Sequence, residues 1–223
     1  MVREKLISKG AESYIYLIDW FGRKAIKKIR AKKGYRHPKI DETLRMSRTK
    51  REAKILQKAK KIGVPVPAVF ALYPKEATII MEHINGGLLR DLLKNSKLTV
   101  DEEKRIFRIM GEHIAHLHNE GITHGDLTTS NVIMNTPKDI VFIDFGLGLF
   151  TESIEDFGIE LRVLYNALKS THYDKVDYLF DSFLEGYLKE QNKGREVYVK
   201  FKDIGLRGRY IEDRRKRKFI IDH

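Results

Sequence analysis

Two carboxylates and one amide set the chemistry available to this chain. Between His124 and Gly146 the sequence places Asn131 five residues after Asp126, and Asp144 thirteen residues after Asn131. The apolar runs Val132 to Met134 and Ile140 to Ile143 lie between them, so the three polar groups are expected on a β-hairpin. A magnesium-bound triphosphate asks for hard oxygen ligands on the metal and one carboxylate beside an attacking hydroxyl. Asp126 suits the hydroxyl, and Asn131 with Asp144 suits the metal. Any one of the three alone would be an ordinary turn residue.

The rest of the chain must hold that hairpin. Leu6 to Ile29 reads as a strand meander, with Asp19 to Arg23 supplying a turn around Gly22. After a break at Gly34 to Pro38, residues 41–62 have helical composition, with Asp41 as cap and Leu44, Ala53, Ile55, Leu56 and Ala59 as a buried stripe. Pro65 and Pro67 end that helix, and Ala68 to Tyr73 with Thr78 to Met81 form a second hairpin. The polar connector Glu82 to Gly87 marks a boundary. Beyond it the pattern turns helical: Leu88 to Lys94 is a short helix, and a capping box from Thr99 to Glu102 opens a long one that Gly121 closes. Two amphipathic helices follow, around Phe157 to Leu168 and Val176 to Leu188. Periodicity is lost after about Asp203. The resulting organisation is an α+β chain with a small antiparallel-sheet lobe over residues 1–84, a helical lobe carrying the catalytic hairpin over 85–203, and a partly ordered basic tail over 204–223.

Composition narrows the setting. There is no cysteine, which excludes a disulfide framework, a thiolate zinc site and a cysteine nucleophile. The start of the chain is charged and lacks the apolar core of a signal peptide, and no apolar run approaches a membrane span, so a cytoplasmic protein with no membrane partner is expected. The net charge of +12 points to a polyanionic partner, because it is clustered rather than averaged. Arg207, Arg209, Arg214, Arg215, Lys216, Arg217 and Lys218 face only Glu212 and Asp213 within their stretch, and form a candidate RNA backbone clamp. A solvated, Lys- and Glu-rich surface is the alternative reading of the same charge.

The motif His124-Gly125-Asp126 with Asn131, followed by Asp144-Phe145-Gly146, resembles the catalytic and metal-binding loops of the protein-kinase-like superfamily. Together with Thr128-Thr129-Ser130, Gly148 and the segment Lys32 to Pro38, it is similar to the small PRPK-type atypical serine/threonine kinase/ATPase family of the KEOPS complex. The resemblance spans about residues 6 to 210 and implies a two-lobed kinase-like fold. By resemblance, Lys27 matches the strand lysine that neutralises nucleotide phosphates and Glu52 the helix glutamate that pairs with it. Lys28 is then the neighbour pointing to the opposite face. Gly10 matches a short phosphate-covering loop, and Met81, Glu82 and His83 match the hinge that holds adenine. The cofactors implied are ATP and Mg2+, with the metal on Asn131 and Asp144. The implied partners are a KEOPS metalloprotein subunit, a small KEOPS regulatory subunit and tRNA. The implied activity is ATP turnover with autophosphorylation in support of threonylcarbamoyladenosine formation on tRNA.

Departures from the wider superfamily shape the expectation. Gly125 replaces the usual arginine, and no Ala-Pro-Glu sequence or long activation segment follows Gly146, with Asp156 only ten residues on. A broad peptide-substrate platform is therefore not expected. His124 is expected to brace the catalytic loop. The pair His116 and His118 is expected at the surface rather than at a metal. Two alternatives share parts of the pattern: a small-molecule phosphotransferase of the aminoglycoside or choline type, and a tRNA-binding pseudokinase adaptor.

Overall fold

The alternation of the first thirty residues becomes three antiparallel strands, β1 (Lys5–Lys9), β2 (Ser13–Trp20) and β3 (Arg23–Arg30). Only Phe21 and Gly22 join β2 to β3, both at positive φ (51° and 79°), the backbone of a hairpin turn whose twist matches its strands. The structure is a computed structural model and describes residues 4–10, 12–136 and 139–221, with residue 136 and residues 208–221 described by backbone alone. It divides the chain into two compact units. The first comprises residues 1–92, 124–126 and 130–149, and the second residues 93–123, 127–129 and 150–223.

In the first unit, helix α1 (Pro38–Lys61) follows the meander, and β4 (Val69–Tyr73) and β5 (Thr78–Glu82) complete a five-stranded sheet in the order β1-β2-β3-β5-β4. The helix begins three residues before the expected cap. Pro38 fits its first turn because it has no amide hydrogen to leave unsatisfied. Asp41 is instead buried inside that turn, accepting from the Lys33 amide at 3.3 Å and from Arg45 Nε at 2.7 Å. Ala53, Ile55, Leu56 and Ala59 form the buried stripe, whereas Leu44 is exposed.

The chain then runs through β6 (Gly87–Leu88), α2 (Leu89–Lys94), α3 (Val100–Asn119) and β7 (Ile122–Thr123) to the hairpin of β8 (Val132–Thr136) and β9 (Asp139–Phe142). Gly87 pairs with Met134 and Leu88 with Ile133, so β6 extends the hairpin into a three-stranded sheet. The Phe142 amide donates to the Pro65 carbonyl at 2.9 Å, tying the hairpin to the segment after α1. The hairpin expected to carry the site thus falls in the same unit as the five-stranded sheet.

The second unit is helical: α3, α4 (Ile154–Thr171), α5 (Val176–Glu190) and α6 (Gly194–Ile221). Thr99 caps α3, accepting from the Glu102 amide while Glu102 accepts from the Thr99 amide at 2.8 Å. Helices α3 and α5 touch backbone to backbone through a reciprocal pair of glycines. A methyl group at Gly111 would stand 2.0 Å from the Phe183 carbonyl, and one at Gly186 would stand 2.0 Å from that of Arg108. The stretch expected as a partly ordered tail is helical, with α6 continuing to Ile221. Its Arg, Lys and Glu residues are good helix formers, and the absence of apolar periodicity did not prevent the helix. Among the described residues no helix is long and apolar enough to cross a membrane.

Candidate active site

Strand β3 decides which cation reaches the carboxylates. Lys28 and Arg30, two residues apart on one face, are both buried. Lys28 Nζ lies 2.6 Å from Glu52 Oε1 and 2.7 Å from Asp144 Oδ1. Arg30 Nη2 donates to Glu52 Oε2 at 2.5 Å and lies 3.4 Å from the Gly146 carbonyl oxygen. Two cations and two carboxylates therefore form one chain of ion pairs, with both Glu52 oxygens occupied. Burial alone would lower the Lys28 pKa, but Glu52 and Asp144 outweigh it and hold the ammonium above its ordinary value. Burial acts to raise Asp144, and Lys28 with the Gly146 amide overcomes it, leaving the carboxyl below its ordinary value. The Asp144 side chain is 48% exposed against 6% for Lys28, so the chain opens to solvent at Asp144.

The structure corrects the assignment of the strand lysine to Lys27 and its pairing with Glu52. Lys27 stands opposite Tyr16 and Ile80 in the sheet register, and its Nζ meets Glu4 at 2.7 Å near the surface. The strand alternates as expected but one residue out of phase. Sequence reasoning also missed Arg30, which carried the available signal: Lys28 and Arg30 put two cations on one strand face, whereas Lys27 shares its face with Ala25 and Ile29.

The catalytic loop is wired through its backbone. His124 is fully buried, and its Nε2 meets the Ile143 carbonyl at 3.0 Å while its Nδ1 accepts from the Asp126 amide at 3.3 Å. That pairing requires the neutral ring protonated on Nε2 and makes His124 a brace between the two ends of the hairpin. Asn131 Nδ2 donates to both the carbonyl and a carboxylate oxygen of Asp126, each at 2.9 Å, and the Asn131 carbonyl accepts from the Ile143 amide at 2.9 Å. Asp126, Asn131 and the residue preceding Asp144 are thereby joined within one hydrogen-bonded loop. Asp144 adopts φ of +62°, uncommon outside glycine and frequent where backbone strain serves a site. Gly125 has φ of +84°, and a methyl group there would sit 2.3 Å from the Leu147 carbonyl oxygen, so the residue that replaces arginine is fixed by its backbone.

A model of the protein kinase domain matches residues 2–173. The chain is 46% identical over 216 residues to KEOPS complex subunit Bud32 of Pyrococcus abyssi, across 93% of this chain and 97% of that relative. The chain belongs to the protein kinase domain family, in its Bud32 branch. It is also 44% identical to a probable bifunctional tRNA threonylcarbamoyladenosine biosynthesis protein of Methanothermobacter thermautotrophicus, and 38% identical to one of Methanocaldococcus jannaschii. These matches cover 93% and 95% of this chain but only 37% and 38% of the relatives, so the chain spans little more than a third of their length.

Membership of the kinase domain family implies an ATP site, and the donor set suits magnesium as well. With its amide nitrogen engaged on Asp126, Asn131 presents a neutral oxygen, and Asp144 presents a half-exposed carboxylate. Among the described residues no group of three His, Cys, Asp or Glu could hold a metal. A sparse oxygen set of this kind matches an ion that completes its shell with water and phosphate. Met81 is buried at the end of β5, and Glu82 accepts from the Ala68 amide at 3.0 Å. His83 follows, with a buried Nδ1 that has no hydrogen-bond partner among the described residues. The Gly10 amide donates to the Ser13 carbonyl at 2.9 Å, closing the turn between β1 and β2.

In the helical unit, His118 is buried rather than at the surface, between Glu160 Oε2 at 2.8 Å and the Tyr187 hydroxyl at 2.7 Å. His116 remains partly exposed, 3.6 Å from Glu190. Of the basic positions proposed for RNA, Arg207 pairs with Glu155 at 3.1 Å. The side chains of Arg209, Arg214, Arg215, Lys216, Arg217 and Lys218 lie outside the described residues.

Proposed function

We propose that this kinase domain turns over ATP as an atypical serine/threonine kinase and ATPase, with autophosphorylation, in support of tRNA threonylcarbamoyladenosine synthesis within a KEOPS assembly. The observation that carries the reading is the bonded series Glu52, Lys28 and Asp144, open at Asp144 and adjoining the loop that unites Asp126 with Asn131. In this reading Lys28 neutralises nucleotide phosphates, Asn131 and Asp144 hold Mg2+, and Asp126 orients the attacking hydroxyl or water. Met81, Glu82 and His83 serve as the adenine hinge, and Gly10 covers the phosphates. Bound magnesium supplies charge neutralisation at the transferring phosphate.

The name of one relative supports a KEOPS assembly, and the individual partners are carried over from the family resemblance. A KEOPS metalloprotein subunit and a small regulatory subunit are proposed, and the long remainder of the bifunctional relatives is consistent with a fused catalytic partner. tRNA is proposed as the polyanion met by Arg207, Arg209 and the run from Arg214 to Lys218. A cytoplasmic location accords with these partners.

The test compares ATP turnover by the wild-type chain alone, with tRNA, and with the metalloprotein partner. Stimulation or restraint of turnover by these additions supports the reading; Asp144→Ala protein that hydrolyses ATP at the wild-type rate overturns it. For RNA, labelled tRNA should bind with a steep salt dependence that deletion of residues 214–218 makes shallower. A slope unchanged by that deletion removes the clamp.

A further inference from the structure

We propose that Arg30 is a positioning residue for ATP turnover, holding Glu52 and the loop after Asp144 in place while Lys28 exchanges Asp144 for phosphate. The inference rests on the reading of Lys28, Asn131 and Asp144 as the nucleotide and metal site. Lys28 is shared between Glu52 and Asp144. With nucleotide and metal bound, Asp144 would turn to the metal and Lys28 to phosphate, and their mutual bond would be given up. Glu52, whose side chain is 1% exposed, would then share Lys28 with phosphate and keep less of its charge compensation. Arg30 supplies it through an interaction that the exchange leaves untouched, on the other Glu52 oxygen at 2.5 Å.

The same guanidinium reaches the loop. Arg30 Nη2 lies 3.4 Å from the Gly146 carbonyl, and a methyl group at Gly146 would stand 3.3 Å from that nitrogen and 2.9 Å from Asp144 Oδ1. Arg30 therefore links the helix glutamate to the backbone that aims Asp144. Stability alone is a poor reason for the arrangement. Buried ion pairs contribute little net stability compared with apolar replacements, and Arg30 Nε is buried with no hydrogen-bond partner among the described residues. A forked donor that bridges two elements makes sense where their separation must not change. A kinase domain with only a short chain between Gly146 and α4 has correspondingly little activation segment with which to set that separation by other means.

The experiment uses the full chain and its Arg30→Met, Arg30→Lys, Lys28→Met and Asp144→Asn variants. Arg30→Met should lower kcat per folded molecule by about thirtyfold while the KM for ATP stays within about threefold, and Arg30→Lys, which keeps one bond to Glu52, should recover to within about threefold of wild type. In nucleotide-free protein, hydrogen exchange at the Gly146 amide, which donates to Asp144 Oδ1, should quicken at least about tenfold in Arg30→Met while amides of α3 are unchanged. Wild-type kcat in Arg30→Met, an effect on KM alone, a lysine variant no better than the methionine one, or exchange that rises uniformly through the molecule would each overturn the proposal. If Arg30→Met does not fold, exchange in the lysine variant decides: a Gly146 amide that quickens while amides of α3 do not supports the proposal, and a Gly146 amide that exchanges as in wild type overturns it. Full turnover in Lys28→Met and Asp144→Asn would instead remove the underlying ATP-site reading. Loss there with wild-type kinetics in Arg30→Met would remove only the role of Arg30.

Discussion

Each unit of the molecule contains a buried knot of ionisable side chains, and the two knots are built to opposite ends. In the first unit Lys28, Arg30 and Glu52 are almost completely buried, but the series terminates in a half-exposed Asp144. In the second, His118 bridges Glu160 and Tyr187 with no exposed terminus, its ring stacked on Phe157 at 4.3 Å between centroids. With Glu160 accepting from Nε2, Nδ1 is left to accept from the Tyr187 hydroxyl, whose pKa is pushed up by burial and then by the Glu160 charge. Burial and mutual pairing therefore do not identify a working site. What the proposed site adds is an exchangeable partner, Asp144, at a solvent-open end.

This contrast can be broken by mutation. The largest effect should come from Asp144→Ala, which removes the open end: ATP turnover should fall at least about a thousandfold with the thermal midpoint nearly unchanged. Glu160→Ala should do the reverse, costing about 1 to 3 kcal/mol of stability by leaving the buried His118 Nε2 hydrogen without its acceptor, with turnover per folded molecule preserved. Urea unfolding beside steady-state kinetics reads both, and a stable, inactive Glu160→Ala protein would collapse the distinction. Next, Lys28→Met should reduce turnover about a hundredfold, whereas Lys27→Met, which loses only a surface bond to Glu4, should leave it within about twofold. Equal losses in the two variants would refute the strand phase. The smallest effect should be that of Tyr187→Phe, about 1 kcal/mol of stability with no kinetic change.

The order of elements was readable because it rests on local rules. Five strands and one helix precede residue 83, the Thr99 capping box forms both its bonds, and the hairpin lies where the apolar runs of residues 132–134 and 140–143 predict it. What escaped depends on phase and on partners distant in sequence. Lys27 and Lys28 are identical side chains one residue apart; Arg30 on the face of Lys28 was the one local signal of the phase, and the position of Glu52 across the unit decides it. His118 reads as half of a surface pair until Glu160 and Tyr187, 42 and 69 residues away, close over it. Asp41 has the chemistry of a cap, but Pro38 starts the helix earlier and Arg45 claims the carboxylate.

Gly125 carries a consequence for which substitutions this chain can accept. Its backbone occupies a conformation that side chains avoid, and the Leu147 carbonyl fills the place where a Cβ would stand. The arginine common at this position in other kinases could therefore be accommodated only with the segment at Leu147 and Gly148 moved aside. A side chain at position 125 thus calls for coordinated changes in two segments, which no single substitution supplies.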